Sequence, residues 1–298
     1  MMDQAQALRK LVQRRASQPQ GTTPQGESEK RTPRVITITS GKGGVGKSNF
    51  TLNFGIMLQE EGMRTLIFDA DIGMANIDVL IGSPSSVSLY HVLNGSKRLE
   101  EIVQVGPSGI HYVPGGSGFK ELHEMSSSSL ERFLDELSEW SERYDVILFD
   151  TGAGLSKETI RFVAAADETF VVTTPEPTAI ADAYALIKIV HTHFPDTAFR
   201  IVVNRVMDWS EGKQTAERLI SVARRFLQLE LPVLGYLNDD QHVMQAVKRQ
   251  TPFTLLYPNI QVSKQIRQLA QAFLYDQEQQ NTTRGITGFI NRWLRRIT

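Results

Sequence analysis

A glycine-rich segment of eight residues restricts the fold of this chain more than any other part of it. Residues 41–48 read GKGGVGKS and stand directly after the β-branched run VITIT and before a helical stretch. The segment satisfies the pattern GxxxxGK(S/T) in the strand–loop–helix context that this pattern requires. In such a loop, backbone N–H groups surround phosphate oxygens at a helix N-terminus, Lys47 brings a positive charge to the β- and γ-phosphates, and Ser48 is a ligand for Mg²⁺. We therefore predict a nucleoside triphosphate site with Mg²⁺. The predicted nucleotide-binding residues of this loop are Gly41, Lys42, Gly43, Gly44, Val45, Gly46, Lys47 and Ser48.

Strand-like and helical segments alternate along the chain after residue 34. The strand-like runs are rich in β-branched and aromatic residues and lack alternation of polar and apolar side chains, as is typical of parallel strands buried on both faces. One helix is predicted to begin at Ser128, with Glu131 completing its capping box. The alternation predicts an α/β fold, with a mostly parallel sheet flanked by helices on both faces and ligands at the carboxyl ends of its strands. The runs are 35–39, 65–69, 145–150, 169–174 and 199–204, and the other helices are 178–193, 212–227 and 262–275.

Charge is distributed unevenly along the chain. Residues 1–34 hold seven Lys or Arg and three Asp or Glu, and residues 281–298 hold four Arg and no acidic residue. Because the whole chain has a net charge of only -1, the part between these tails is acidic. This distribution predicts that the tails meet polyanionic partners such as lipid headgroups or acidic protein faces, and it argues against DNA as a partner.

The composition also excludes several classes of site. The chain contains no cysteine, which rules out disulfides, thiolate zinc sites and cysteine-held iron–sulfur clusters. It has neither a run of about 18 apolar residues, which a membrane-spanning helix needs, nor an apolar secretory segment at its N-terminus. We therefore expect the protein in the cytoplasm.

Composition divides the sequence into five parts. Residues 17–33 and 276–284 lack large apolar side chains, which predicts two flexible linkers. The N-terminal segment has a thin apolar stripe and is too short to be a stable helix on its own. The predicted organisation is an N-terminal helix at 1–16, a linker at 17–33, a nucleotide-binding domain at 34–275, a second linker at 276–284 and a C-terminal helix at 285–298.

The C-terminal segment is predicted to be an amphipathic helix that lies on a membrane surface. As a helix it carries apolar side chains on one face and only arginine as the charged residue on the other. The preceding linker, the aromatic pair and the cationic face favour contact with anionic lipid. A helix that packs its apolar face on the protein body has the same pattern. The predicted membrane-contacting residues are Ile286, Phe289, Ile290, Trp293 and Leu294.

The second lysine of the loop, Lys42, makes the motif more specific. The segment KGGVGKS resembles the deviant Walker A signature KGGxGK(S/T) of the MinD/ParA family of P-loop ATPases. The resemblance implies a slow, regulatory ATP hydrolase whose ATP-bound form is a homodimer, with Lys42 reaching the phosphates of the partner copy. It makes Lys42, Lys47 and Asp71 candidate catalytic residues, with ATP/ADP and Mg²⁺ as cofactors. A lysine exposed to solvent in a loop is the plainer interpretation of Lys42.

Two acidic segments follow in the order of that family. DADIGMANID at 69–78 resembles its switch I, where Asp71 would lie beside the attacking water. DVILFDTGAG at 145–154 resembles its Walker B strand and switch II, where Asp150 would lie near Mg²⁺. Two carboxylates at strand ends beside a phosphate loop suit a metal–triphosphate complex, although each alone also suits a helix cap. The predicted metal-binding residues are Ser48, Asp71 and Asp150.

The base is predicted to be adenine. A GTPase of this build would usually have NKxD after a strand, and this chain has VVNRV at 202–206. The family resemblance implies that Asn204 reads the base through its amide and that Arg205 lies along it. A turn residue at a strand end is the other interpretation of Asn204. The segment GYLNDD at 235–240 aligns with the loop over the adenine, which adds Asn238 to the predicted site.

The N-terminus carries a second, more specific resemblance. DQAQALR at 3–9 resembles the DQAxxLR element of the FlhG group of MinD-like proteins, also called YlxH or FleN, which regulate flagellar number and placement. In that group the segment docks on the signal-recognition-type GTPase FlhF and stimulates GTP hydrolysis. Without the resemblance, a short frayed helix of this kind has no evident role. The residues to which the resemblance assigns partner activation are Asp3, Gln4, Leu8 and Arg9.

Together these features predict a switch that cycles between a cytoplasmic ADP-bound or nucleotide-free monomer and an ATP-bound dimer at the inner face of the cell membrane. The predicted partners are a second copy of the chain, FlhF and an anionic membrane surface, with other flagellar components as further candidates. A MinD-type division-site regulator is an alternative, and only the DQAxxLR element distinguishes the predicted flagellar regulator from it. A ParA-type DNA-partitioning ATPase is another, and it needs a basic surface for duplex DNA. A metabolic P-loop enzyme needs a substrate site or metal ligands that the sequence does not show.

Overall fold

The computed structural model describes residues 32–71, 76–115, 127–277 and 285–294. The strands are β1 (Arg34–Thr39), β2 (Thr65–Ala70), β3 (Gln104–Val105), β4 (His111–Val113), β5 (Val146–Thr151), β6 (Glu168–Thr173), β7 (Phe199–Val206) and β8 (Val233–Asn238). The helices are α1 (Lys47–Glu60), α2 (Ile77–Ile81), α3 (Leu89–Leu93), α4 (Leu99–Ile102), α5 (Ser127–Ser141), α6 (Lys157–Ala165), α7 (Pro177–His193), α8 (Trp209–Leu227), α9 (Gln241–Lys248), α10 (Phe253–Leu256), α11 (Gln261–Gln277) and α12 (Gly285–Leu294).

These strands form one sheet in the order β3-β4-β2-β5-β1-β6-β7-β8. All neighbouring strands pair in parallel except β3 and β4, which are antiparallel. Helices cover both faces of the sheet, because each connection between parallel strands crosses one face. The predicted α/β fold is therefore confirmed.

The central strands are buried along their whole length, which explains their continuous apolar runs. Every residue of β1, β2, β5 and β6 is buried. On one face, α1 and α11 pack on the sheet, and the Phe54 ring lies edge-on to Phe170 and Phe273 at centroid distances of 5.7 and 5.8 Å. On the other face, α5, α6 and α12 cover the β2–β5 region, and α7 and α8 cover the β6–β7 region.

The five predicted strands are present, and their ends differ from the prediction by at most two residues. The sequence did not predict β3, β4 and β8, because β3 and β4 are too short to show a period and β8 is only half-buried. Within β8, a Cβ on Gly235 would lie 2.3 Å from Cδ2 of Leu269, so α11 packs directly against the backbone of this strand. The helix α11 also continues through Asp276, which the prediction had placed in a linker.

The C-terminal helix α12 packs on the body in this structure, which is the alternative that its sequence pattern left open. It lies in a groove between α5 and α6, where Ile286, Phe289, Ile290 and Trp293 are each at most 2% exposed and Leu294 is partly buried. An apolar stripe gains as much by covering an open sheet face as by entering lipid, so the body is a sufficient partner. Insertion into a membrane requires that the helix first leave this groove.

Among the helices that the structure describes, none combines the length and the apolar character needed to cross a bilayer.

Candidate functional site

A cavity of about 810 Å³ opens where the central strands end. The strands β1 and β2 both pair with β5, in a register that sets Ile38 and Asp69 beside Asp150. Parallel strands bring their carboxyl ends to one edge, which is where sheets of this type bind ligands. The lining residues include Gly43, Gly44, Gly46, Lys47 and Ser48 of the loop, Asp71 and Asn76 beyond β2, Gly152 and Ala153 beyond β5, Ser156, Glu158 and Thr159 at the start of α6, and Arg205 of β7.

Two glycines of the loop are required by its geometry. Gly44 and Gly46 have φ angles of +79° and +92°, which side chains disfavour. A Cβ on Gly46 would also lie 2.4 Å from Nδ2 of Asn204. Gly46 immediately precedes α1, so the loop ends at a helix N-terminus, where backbone N–H groups and the helix dipole favour phosphate.

Lys47 and Asp150 form a buried ion pair at the cavity. Lys47 Nζ lies 2.9 Å from Asp150 Oδ1, and Thr51 Oγ1 donates a hydrogen bond to the same oxygen at 2.9 Å. The other oxygen, Oδ2, is buried and has no hydrogen-bond partner among the described residues. A buried carboxylate oxygen without a partner is unfavourable, and a Mg²⁺ ion with its water ligands would supply one. The oxygens of Ser48 and Asp150 therefore fit the predicted metal.

Asp71 lies at the wall of the cavity between the two predicted switch segments. Its partial burial raises the pKa of Asp71 above the usual value, and the nearby Lys47 cation opposes that shift. Asn76 Nδ2 donates a hydrogen bond to Asp71 Oδ2 at 3.2 Å. A Cβ on Gly152 would lie 3.2 Å from Asp71 Oδ1, so the missing side chain at 152 lets the two segments come together.

A second carboxylate, Asp69, lies behind Asp71 and is buried. It accepts backbone hydrogen bonds from Asp71, Asn76 and Ile77. Burial, together with the charge of Asp150, raises the pKa of Asp69 to about 7, and those hydrogen bonds oppose the shift. The carboxylate thus anchors the backbone at Asp71 and again at Asn76 and Ile77, within the predicted switch I segment.

A β-bulge near the end of β7 places two residues predicted to contact the base. The pairing of β7 with β8 shifts between Val203 and Val206, and Arg205 has a left-handed φ of +58°. Such a conformation is strained for a residue with a side chain and is concentrated at functional sites. Arg205 lines the cavity. Asn204 instead donates from Nδ2 to the loop carbonyl of Val45 at 2.8 Å, which ties β7 to the loop.

Asn238 ends β8 and is not among the cavity-lining residues. Its Nδ2 donates to the carbonyl of Met207 at 2.8 Å, and its Oδ1 accepts from Gln265 Nε2 at 2.5 Å. Both polar atoms of the amide are therefore engaged within the protein. The structure does not bring Asn238 to the predicted base site, and a nucleotide contact by this residue stays a prediction.

Lys42 is held at the edge of the loop by its own chain. Its Nζ lies 2.7 Å from Glu176 Oε2 and donates to Thr178 Oγ1 at 2.9 Å. The hydrogen bond and charge of Lys42 hold the pKa of Glu176 below its usual value. A Cβ on Gly41 would lie 2.2 Å from the backbone of Asp182, so α7 packs directly on the loop. Lys42 is thus neither in the cavity wall nor free in solvent.

Sequence reasoning did not single out Asp69, Asn76 and Glu176. Asp69 and Asn76 stand in the DADIGMANID segment, where two carboxylates two residues apart were a usable signal. Glu176 lies 134 residues from Lys42, and no local pattern indicates such a contact. The residues predicted to activate a partner, Asp3, Gln4, Leu8 and Arg9, lie outside the described residues.

Comparisons with known proteins agree with this geometry. The family model described as "ParA: NUBPL iron-transfer P-loop NTPase" matches residues 31–274. The chain is 35% identical to antiactivator FleN of Pseudomonas aeruginosa over 80% of this chain and 85% of that protein. It is 39% identical to the flagellum site-determining protein YlxH of Helicobacter pylori over 81% of this chain and 82% of that protein.

The fold is also similar to that of a solved structure. A chain of the MinC:MinD cell division protein complex of Aquifex aeolicus matches with a TM-score of 0.67 and 26% identity, covering 81% of this chain and 96% of that one. The matched regions include the glycine-rich loop and both carboxylate segments. A match of this extent makes the chain a member of the ParA/MinD family of P-loop NTPases.

Proposed function

We propose that this protein is an ATP-driven switch that regulates flagellar number and placement, and that it cycles between a cytoplasmic monomer and a membrane-associated dimer. One observation carries the proposal: the nine-residue helix α6 contacts both the nucleotide cavity and α12. At its start, Ser156 and Thr159 line the cavity. At its end, Phe162 and Ala165 contact α12. A change at the nucleotide therefore has a short, rigid route to the amphipathic helix.

The cavity supplies the groups that ATP hydrolysis needs. On nucleotide binding, Lys47 exchanges Asp150 for the β- and γ-phosphates. Ser48 and Asp150 would hold Mg²⁺, which would offset phosphate charge. Asp71 orients a water molecule whose oxygen bonds to the γ-phosphorus, while the bond from that phosphorus to the bridging oxygen breaks. A proton of this water passes to the phosphate, and ADP and inorganic phosphate leave. Turnover is slow because one copy alone lacks the lysine of its partner.

Lys42 connects nucleotide binding with dimerisation. In one copy it pairs with Glu176, and the two side chains are 38% and 57% exposed. An exposed pair of this kind contributes little to stability, because water and salt screen its charges. The triphosphate bound to a second copy therefore competes effectively for this lysine. ATP then joins two copies, and loss of the γ-phosphate weakens the attraction.

The helix α12 has two alternative surroundings, the groove and lipid. Burial of a side chain such as Phe289 or Trp293 is worth about 1.5–3 kcal/mol in either one, so a small bias decides between them. Arg292 favours the groove, because its Nε donates to the carbonyl of Ala165 at 2.6 Å and its guanidinium lies 3.4 Å from Asp167. A shift of α6 disturbs these contacts. Two released helices in a dimer bind lipid far more tightly than one, because the second insertion is intramolecular.

The biological setting comes from a relative whose name refers to the flagellum, the flagellum site-determining protein YlxH. We propose FlhF as the partner GTPase, with Gln4 approaching its active site and Leu8 and Arg9 docking on its surface. A peptide of residues 1–20 should raise the GTPase rate of FlhF, and the same peptide with Gln4→Ala should not. A rate that neither peptide changes would remove FlhF as the target of this segment.

Division-site placement is a second candidate function. It is favoured by the structural similarity to the cell division protein complex. The DQAQALR segment is the feature that favours the flagellar role over it. Deletion of the gene in its native host separates the two, because the flagellar role predicts altered flagellar number with normal division and the alternative predicts minicells.

The proposed cycle is tested on the full chain by size-exclusion chromatography and liposome co-sedimentation with Mg²⁺ and ADP, ATP or no nucleotide. We expect a dimer that sediments with anionic liposomes only in ATP. Leu294→Glu should remove most of this sedimentation, because a carboxylate on the apolar face opposes insertion. Asn291→Glu adds the same charge to a polar position and should retain it. A chain that stays monomeric in ATP contradicts the switch, and a dimer that ignores lipid contradicts its membrane part alone.

A further inference from the structure

The carboxylate of Asp69 joins the two ends of the segment that carries Asp71. Asp69 is 2% exposed, and its Oδ1 accepts the backbone N–H of Asp71 at 3.2 Å. Its Oδ2 accepts the backbone N–H groups of Asn76 at 2.7 Å and of Ile77 at 3.1 Å. The carboxyl group has two oxygens, and here each of them accepts at least one backbone N–H. One buried side chain thus fixes the backbone at two places within the predicted switch I segment, at Asp71 and at Asn76 and Ile77.

The same arrangement orients the side chain of Asp71. Its backbone N–H is fixed by Asp69, and its Oδ2 accepts from Nδ2 of Asn76, whose own backbone is fixed by Asp69. Gly152 leaves room for it on the other side, since a Cβ there would lie only 3.2 Å from Oδ1. The direction in which the Asp71 carboxylate points therefore depends on two hydrogen bonds, both of which lead back to Asp69.

We propose that Asp69 is a positioning residue for hydrolysis, which sets the turnover rate through Asp71 without itself lining the nucleotide cavity. Asp69 is absent from the residues that line the cavity, whereas Asp71 and Asn76 are among them. A displacement of about 1 Å in an orienting group lowers a rate by about 100-fold. The inference rests on the proposed role of Asp71 in orienting water.

The substitution Asp69→Asn tests this positioning role with little change in volume. An amide has a single acceptor oxygen, so one of the two anchors is lost. We expect kcat for ATP to fall by about 10- to 100-fold, with KM within about twofold and ATP-dependent dimerisation retained. Hydrogen exchange of the backbone amides of Asp71, Asn76 and Ile77 should become faster in the same variant.

Asp78→Asn is the matched control. Asp78 is also buried, and its Oδ1 accepts the N–H of Val79, so its substitution removes a buried acid from the same region without touching Asp71. It should keep kcat within about twofold of the unaltered chain. An unchanged kcat in Asp69→Asn overturns the inference. So does a fall in kcat that Asp78→Asn reproduces together with an equal loss of thermal stability, because that outcome indicates general destabilisation.

Two further variants complete the test. If Asp69→Asn does not fold, Asn76→Ala removes the hydrogen bond that the Asn76 side chain donates to Asp71, at a partly exposed position. A kcat that this change leaves unaltered also overturns the inference. Asp71→Ala is measured in the same assay. Unchanged turnover in Asp71→Ala refutes the proposed role of Asp71 itself, whereas slow turnover there with normal turnover in Asp69→Asn refutes only the role of Asp69.

Discussion

The nucleotide cavity and the groove of α12 differ in how narrowly residue type determines structure. In the cavity, glycines with left-handed φ and the buried Lys47–Asp150 pair suit very few surroundings. In the groove, Phe289 stacks on Phe149 at 4.3 Å, but any apolar surroundings would satisfy the same ring. The residues of a polar site with special backbone geometry therefore indicate the function of that site. An apolar face reports only that something covers it, and this freedom is what would allow one helix to serve both as core and, as we propose, as membrane contact.

The largest effect is expected from Lys47→Ala, which tests the cavity side of this contrast. The change deletes the phosphate contact and leaves the Asp150 carboxylate without its ion-pair partner. The proposed contact between Lys47 and the phosphates is a buried charge pair between protein and ligand, and truncation of one member of such a pair costs about 2–5 kcal/mol. The affinity for ATP should therefore fall by about 100-fold or more. Calorimetric titration with Mg²⁺ and ATP measures it. Lys213→Ala, which removes an exposed lysine, should bind ATP normally, and near-normal binding by Lys47→Ala would show that the phosphates lie elsewhere.

A smaller effect on binding and a larger one on assembly are expected from Lys42→Ala. Lys42 lies outside the cavity wall and pairs with Glu176, so ATP affinity should stay within about threefold. Dimerisation in ATP should weaken by at least about tenfold, because the contact with the partner copy is lost. Light scattering after size exclusion measures both mass and its ATP dependence, with Lys188→Ala as the control. Dimers that persist in Lys42→Ala would refute the role of this lysine across the interface.

The smallest effect is expected from Phe162→Leu, which removes an aromatic ring from the groove and leaves the sequence of α12 unaltered. Unlike the two lysine variants, it should increase the measured quantity, which is the binding to liposomes. The Phe162 ring lies 6.0 Å from Phe289 and 5.7 Å from Trp293. Aromatic pairs add about 0.5–1.5 kcal/mol each, so liposome binding without ATP should rise about two- to tenfold. Phe170→Leu makes the same change on the opposite face of the sheet and should not alter lipid binding. If both variants bind liposomes equally in the absence of ATP, the groove does not control the release of α12 and is an ordinary part of the core.

The parts of the structure that the sequence predicts are those with a local signal. The central strands are apolar runs that only a doubly covered sheet explains, and residues 41–48 combine glycines with lysines in a spacing that few other structures need. The carboxylates are predicted from their positions at two such strands, since Asp71 directly follows β2 and Asp150 is the last residue but one of β5. Each of these signals lies within about ten residues.

The parts that the sequence did not predict depend on contacts between distant segments. Asn238 after a strand suits a base contact as well as it suits the carbonyl of Met207, and only the folded chain chooses between them. The pairing of Lys42 with Glu176 has no counterpart in local pattern. The position of α12 could not be predicted for the same reason. Amphipathicity identifies the face of a helix that is buried, but it does not identify the surface against which that face packs.

A reversible disulfide between α5 and α12 tests whether α12 leaves its groove when ATP binds. Ser138 Oγ and Thr287 Oγ1 lie 3.0 Å apart, and the chain has no cysteine, so Ser138→Cys with Thr287→Cys provides a single disulfide between α5 and α12. Co-sedimentation with anionic liposomes is compared for the oxidised and reduced forms in Mg²⁺ and ATP. We predict that the oxidised form still dimerises but stays in the supernatant, and that reduction restores sedimentation. Oxidised protein that sediments as fully as the reduced form would contradict the release of this helix.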